Sequence, residues 1–299
     1  MATASSLSIA ELKDALSTPD AYPHDPDRIE FKQTHISLVA LVPPRVYKIK
    51  KPVSLAYLDF TTLDRRRHFC EQEVQLNRRL APNTYEGVVP IVQTDDGLRV
   101  EGDPDAGDVV EVAVKMRYLE HSQFLDARLA RGDAGAPEID RVVRTLCDFY
   151  RERPSTPEVA EAGRIDRLRA VTEGNFTEAE QHVDSLLSRP AHEALQFYAD
   201  RFYDQYASLL HRRRAGGFIV EGHGDLRLEH VHVTDERVAI FDCIEFNEEF
   251  RYLDVANDVA FLAMDLDVHG YPGLSRRFVE RMAQGLDDPD LHRLLPFYK

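Results

Sequence analysis

Cysteine is scarce, three in 299 residues. Cys70, Cys147 and Cys243 are odd in number, widely spaced and without CxxC or zinc-ligand spacing, which excludes a disulfide framework and points to a reducing, cytoplasmic setting. No stretch approaches the roughly 20 uninterrupted apolar residues that a membrane helix needs, so no membrane partner is expected. The opening MATASSLSIAELKDAL has no basic segment followed by an apolar one, so it lacks the pattern of a secretory leader. Positive charge is in deficit: 37 Lys and Arg face 52 Asp and Glu, a formal net charge of −15. Affinity for a phosphate backbone rests on Lys and Arg, so nucleic acid is not an expected partner either. Internal repeats and low-complexity segments are also missing, and nothing sets an oligomeric state. What is there is 43% hydrophobic and 30% charged, enough apolar material for one large domain or two lobes, and unlike a disordered or collagen-like chain.

The pattern along the chain changes once. Ser8 and Glu11 are spaced as a capping box for a short first helix. HISLVAL at 35–41 and RVYKIK at 45–50 read as strands joined by Pro43-Pro44, with Val46, Lys48 and Lys50 on one face and Tyr47 and Ile49 on the other. Thr61 or Thr62 caps a helix to about Leu80, on which Arg65, Arg66 and Arg67 read as an exposed face. Strands are expected at 88–92, 98–100 and 109–119. From Phe124 to Arg214 the periodicity is helical, over 137–152, 155–171, 176–188 and 190–214. A strand, a loop holding HGDLRLEHVHV, a hairpin ending in VAIFD and a last helical tract follow. The outline is α+β: a small β-rich N-lobe over 1–119 and a larger helical C-lobe over 120–299.

The chemistry concentrates in 223–245. Asp225 and Asp242 stand seventeen residues apart, each on a loop beside a short strand. Paired carboxylates at one site divide roles, one orienting or deprotonating a nucleophile and the other holding a hard cation through oxygen. His223 is placed to pin the loop. Charge is divided too: residues 31–80 hold ten basic against four acidic side chains, and residues 217–267 hold three against thirteen. A basic segment and an acidic one suit a polyphosphate with its metal.

HGDL followed by that second aspartate resembles the catalytic and metal loops of the aminoglycoside phosphotransferase family, small-molecule kinases with a protein-kinase-like fold. The strand lysine of VYKIKK, the glutamate of CEQEVQLNRRL, the hinge-like KMRYLEHSQFLDARL and the segment RYLDVANDVAFLAMDL extend the resemblance over most of the chain. KIKKPV, LDF, RRRHFCEQE and FDCIEFNEEFRYLD resemble an uncharacterised bacterial branch in which such a domain is sometimes joined to a P-loop ATPase. No GxxxxGK[ST] is present, so that second domain is not expected here.

The resemblance implies ATP and Mg²⁺ as cofactors, a two-lobed fold and transfer of the γ-phosphate to a hydroxyl of a small polar acceptor. It implies Asp225 as catalytic aspartate, His223 as a member of its loop, Asp242 as metal ligand, and Asp258 as the tie of the catalytic loop. Lys48 or Lys50 would contact the phosphates, held by Glu73, and Met116, Tyr118 and Leu119 would lie against the adenine. Two departures stand out. SLVALVPPR lacks the glycines of a phosphate loop. His230 stands five residues after Asp225, where the family has asparagine, so either Asp242 carries the metal with help from Glu245 or the ion has shifted, for instance to Mn²⁺. Two other classes remain open: a pseudokinase that binds nucleotide without transfer, and a metallohydrolase built on His223, His230, His232, Asp225 and Asp242.

Overall fold

The computed structural model describes residues 7–299, and the leader reading of the first six residues lies outside them. Two compact units account for the packing, one of residues up to Ala130 with Glu229–Asn247, the other of Arg131–Leu228 with Glu248–Lys299. Each holds about half the chain.

The first unit opens with helix α1 (Ile9–Ala15), whose Ser8 hydroxyl accepts the Glu11 N–H while the Ser8 N–H donates to Glu11, the expected capping box. Strands β1 (Glu30–Gln33), β2 (Ser37–Val42) and β3 (Arg45–Lys50) follow, then a two-residue pair, β4 (Ser54–Leu55) and β5 (Leu58–Asp59). Helix α2 (Leu63–Asn77) is capped by the Thr62 hydroxyl and stops three residues short of the expected end. Strands β6 (Tyr85–Thr94), β7 (Gly97–Val100) and β8 (Asp108–Arg117) complete an antiparallel sheet in the order β1-β2-β3-β8-β6-β7, and α3 (Leu125–Arg131) follows the connector.

Alternation along β3 separates its side chains as the sequence indicates. Tyr47 and Ile49 join Leu38, Ala40 and Val42 of β2 and Leu12 of α1 in one apolar cluster. The opposite face meets α2, where Cys70 and Val74 pack with Tyr85, Val112 and Val114. Arg66 departs from the exposed face expected of it. It is 4% exposed, pairs with Glu111 at 2.8 Å and donates to the carbonyls of Phe60 and Thr61, because α2 turns that side toward β8.

The second unit begins with α4 (Ala136–Arg151), α5 (Pro157–Glu161), α6 (Ile165–Ala179) and α7 (Arg189–Ala215), then strand β9 (Ile219–Glu221). The expected helices at 155–171 and 176–188 are divided differently, with a break at Gly163. A side chain there would meet Ile219 Cγ1 at 2.5 Å, so glycine permits α5 to close on β9.

The hairpin β10 (Val231–Val233) and β11 (Val238–Ile240) belongs to the first unit, where the Ile240 N–H donates to the Leu80 carbonyl. Packing therefore does not follow the boundary drawn at residue 119. Strand β12 (Tyr252–Asp254) returns to pair antiparallel with β9, and α8 (Val255–Val268), α9 (Pro272–Gly285) and α10 (Leu291–Tyr298) close the second unit. Its interior holds Arg213 of α7 between Asp254 at 2.6 Å and Asp288 at 2.7 Å. An antiparallel sheet in one unit and helices in the other make the fold α+β. No described helix is long and apolar enough to cross a membrane.

Candidate active site

In the first unit, β3, α2 and the segment after β11 bring two lysines and three carboxylates together. Lys48 and Lys50 leave the same face of β3, two residues apart. Glu73, fully buried on α2, divides its oxygens between them: Oε1 lies 2.8 Å from Lys48 Nζ and Oε2 lies 2.7 Å from Lys50 Nζ. Each lysine then takes a second carboxylate. Lys48 reaches Asp242 Oδ1 at 2.5 Å, and Lys50 pairs with Glu245.

The two halves of this network differ in access. The Lys48 and Asp242 side chains are 13% and 38% exposed, whereas those of Lys50 and Glu73 are at 0%. Burial disfavours the charge on Lys48, but Asp242, Glu73 and Glu245 outweigh it and hold its ammonium well above the ordinary lysine range. Burial also pushes the Glu73 carboxyl up, and the two ammonium groups overcome it and hold it below the usual range. At Glu245 burial wins, reinforced by the charge of Glu73, and its carboxyl is raised. Burial likewise pushes the neighbouring Cys70 thiol up to about 12, which keeps it protonated and unreactive.

Glu245 was expected to help hold the metal; it is instead 6% exposed and committed to Lys50. The Asp242 carboxylate fits a hard divalent ion, which takes one or two carboxylates and completes its shell with phosphate and water. His230 Nε2 lies 3.6 Å from Asp242 Oδ2, close enough to share an ion with it. His230 and His232 do not act as a pair. His230 ends a 3-10 turn, whereas His232 is buried edge-to-face on Phe124 at 5.4 Å with no hydrogen-bond partner for either ring nitrogen among the described residues. No group of three or more His, Cys, Asp or Glu side chains among the described residues converges as a metallohydrolase would require.

His232 has a consequence for acid stability. Burial, with a smaller push from Arg237, lowers its pKa from 6.5 to about 4. A depressed folded-state value contributes stability above about pH 6.5 that is lost as pH falls toward 4, where the unfolded chain binds the proton first. His232→Leu should therefore flatten the acid limb of the stability curve between pH 6.5 and 4, by up to about 3 kcal/mol at the acid end. Chemical denaturation across that range checks it, and a slope equal to wild type would refute the assignment.

Half-buried Met116, Tyr118 and Leu119 lie on and just beyond the end of β8. Met116 pairs with Val46, two steps along the ladder from the Lys48–Val114 pair, and the Tyr118 N–H donates to the Pro44 carbonyl at 3.0 Å. Lys48 and Met116 thus share a sheet face.

In the second unit, Asp258 of α8 ties the loop after β9, as the resemblance implies. Its carboxylate accepts the His223 N–H at 2.6 Å, the Gly224 N–H at 2.9 Å and the Tyr150 hydroxyl at 2.9 Å. A Cβ on Gly222 would come within 2.4 Å of that carboxylate, so only glycine lets the strand pass it. His223, fully buried, accepts the Asp225 N–H on Nδ1 at 3.3 Å. The Asp225 carboxylate is one-third exposed, with Arg227 Nε at 3.3 Å. Asp265, unremarked in the sequence, accepts the Leu228 N–H at 2.8 Å and secures the far end of the same loop. Lys48, Lys50, Glu73, His230, Asp242 and Glu245 thus gather in the first unit, while His223, Asp225 and Asp258 gather in the second.

Known proteins resemble this chain in sequence and in fold. Uncharacterized proteins of Mycobacterium tuberculosis (strain H37Rv) and Mycobacterium bovis are each 30% identical to it over 282 residues, 94% of this chain and 54% of theirs. The chain spans about half the length of these relatives. Among solved structures, a choline/ethanolamine kinase family protein from Mesorhizobium loti superposes with a TM-score of 0.45 at 14% identity, covering 96% of this chain and 81% of that one. The choline kinase of Cryptosporidium parvum Iowa II gives 0.49 at 12% identity over 96% and 84%. A thermostable mutant of an aminoglycoside phosphotransferase gives 0.47 at 11% identity over 91% and 84%. The model of the phosphotransferase enzyme family matches residues 45–297, and the chain belongs to that family.

Proposed function

We propose that this chain is an ATP-dependent kinase that moves the γ-phosphoryl group to a hydroxyl of a small polar molecule. The observation that carries the reading is Lys48, whose ammonium is held at once by Glu73 and Asp242 and whose side chain, unlike that of Lys50, keeps some exposure. A lysine fixed in this way can meet phosphate oxygens without being drawn into the core, and phosphoryl transfer is catalysed mainly by such positioning and charge neutralisation. Lys48 is the phosphate-contacting lysine in this reading. Lys50, enclosed by Glu73 and Glu245, is the internal counter-ion that keeps Glu73 charged and in place.

Asp242 would hold the divalent cation, which when bound neutralises phosphate charge, and His230 beside it would add nitrogen to the donor set. Nitrogen is a softer donor than an amide oxygen, so Mn²⁺ should serve at least as well as Mg²⁺. Asp225 would accept the proton of the acceptor hydroxyl and orient its oxygen, on a loop that His223 and Asp258 hold. Met116, Tyr118 and Leu119 would form the adenine side. The acidic balance of residues 217–267 suits a cationic acceptor.

Calorimetric titration of ATP with and without Mg²⁺ or Mn²⁺ tests the nucleotide half of this reading. The expected result is binding that either cation strengthens, weakened about 10–100-fold in Lys48→Ala, as loss of a charged hydrogen bond implies. Failure of the wild type to bind under every condition, or equal affinity in the variant, would overturn it.

A further inference from the structure

Helix α2 carries a further buried polar residue one turn beyond Glu73. Asn77, 1% exposed, uses both ends of its amide. Its Nδ2 donates to the Glu73 carbonyl at 2.9 Å, and its Oδ1 accepts the Cys243 N–H at 2.9 Å. The carbonyl can only accept and the N–H can only donate, so the two partners fix which way the amide points. The preceding peptide is held as well: the Asp242 N–H donates to the Tyr85 hydroxyl at 3.3 Å. Between these two held amides, Asp242 has φ +63°, in the left-handed region. An L-residue occupies that region at a cost on the order of 1 kcal/mol and stays there only where its surroundings impose it.

We propose that Asn77, assisted by Tyr85, is a positioning residue for Asp242, holding the left-handed turn that aims its carboxylate and coupling that turn to the seat of α2. The inference rests on the reading of Asp242 as cation ligand given above. Glu73 and Asn77 lie four residues apart and so share a helix face. One element thereby sets both the lysine that meets the phosphates and the carboxylate that meets the metal. A shift of α2 that draws Glu73 from Lys48 also withdraws Asn77 from Cys243.

Two readouts test it. The first needs no ligand: hydrogen exchange at the Asp242 and Cys243 amides should quicken about tenfold in Asn77→Leu, the loss of one buried hydrogen bond. The second is the gain in ATP affinity on adding Mg²⁺ or Mn²⁺. It should shrink about tenfold in Asn77→Leu and about threefold in Tyr85→Phe, while cation-free ATP affinity changes by less than about twofold. If Asn77→Leu does not fold, Tyr85→Phe, which removes one oxygen, carries both readouts. Exchange at these amides unchanged from wild type would overturn the proposal whatever the protein binds. Cation-free and cation-dependent affinity falling together would overturn it too, as the mark of general loosening. A wild type whose ATP binding ignores cations, with exchange still quickened in the variant, would leave the clamp standing and refute the role of Asp242.

Discussion

Lys50→Met should lower the stability of the protein by about 3–5 kcal/mol, the cost of removing one partner from a buried ionic group. Lys50 is the buried cation between Glu73 and Glu245, and both of those side chains are buried with it. Without it, Glu73 keeps only Lys48, and Glu245 faces Glu73 across a space of low polarity. One carboxyl must then bind a proton, which reverses the pH trend. In the wild type, the depressed Glu73 carboxyl contributes stability above the usual glutamate range that is lost as pH falls through its folded value. In the variant Glu73 keeps Lys48, while the Glu245 carboxyl, already raised by burial, loses its cation and is raised further; the folded state then holds a proton that the unfolded chain releases, and stability rises as pH falls from 7 toward 5. A double variant, Lys50→Met with Glu245→Leu, should recover most of the loss, since Glu73 then has one cation and no facing carboxylate. Urea denaturation of the three proteins at two pH values checks this. A Lys50→Met variant within about 1 kcal/mol of wild type would show that the pair is not the buried counter-ion described.

Why the sequence left Lys48 and Lys50 undecided follows from this geometry. Strand alternation puts both on one face, and a carboxylate has two oxygens, so Glu73 serves both and neither is excluded. What separates them is access, which depends on how far along β3 the segment after β11 lies. Glu245 was illegible for a related reason. It follows Asp242 by three residues in a segment that is neither helix nor strand, so no periodicity gives its direction. His230 and His232 are spaced as strand neighbours on one face, but His230 closes a 3-10 turn and the strand begins only at Val231. Asn77 had a signal, its four-residue spacing from Glu73, but a polar residue near a helix end reads as a cap until its partner on Cys243 is seen. By contrast, the capping box at Ser8 and the faces of β3 rest on local spacing and were legible, and the tie at Asp258 came with the family resemblance.

Asp225→Asn is the second substitution with a large expected effect. Asparagine keeps the shape of the side chain and the Asp225 N–H bond to His223, so the loop should stand. It removes the negative charge and the capacity to take a proton, and it leaves Lys48, Asp242 and the adenine side untouched. Loss of a positioned acid–base group costs about 10²–10⁴-fold in rate. Nucleotide affinity should stay within about twofold, since a group that acts on the acceptor hydroxyl contributes to the transition state more than to ATP binding.

The most direct measurement is therefore γ-phosphoryl transfer from labelled ATP to a panel of hydroxyl-bearing small molecules, cationic and neutral, by the wild type and by Asp225→Asn, with ATP affinity measured on both. Cation-dependent transfer by the wild type, reduced at least about 100-fold in the variant at unchanged affinity, is the predicted result. Equal turnover in the two proteins, or ATP binding by the wild type with no transfer to any acceptor, would contradict the account.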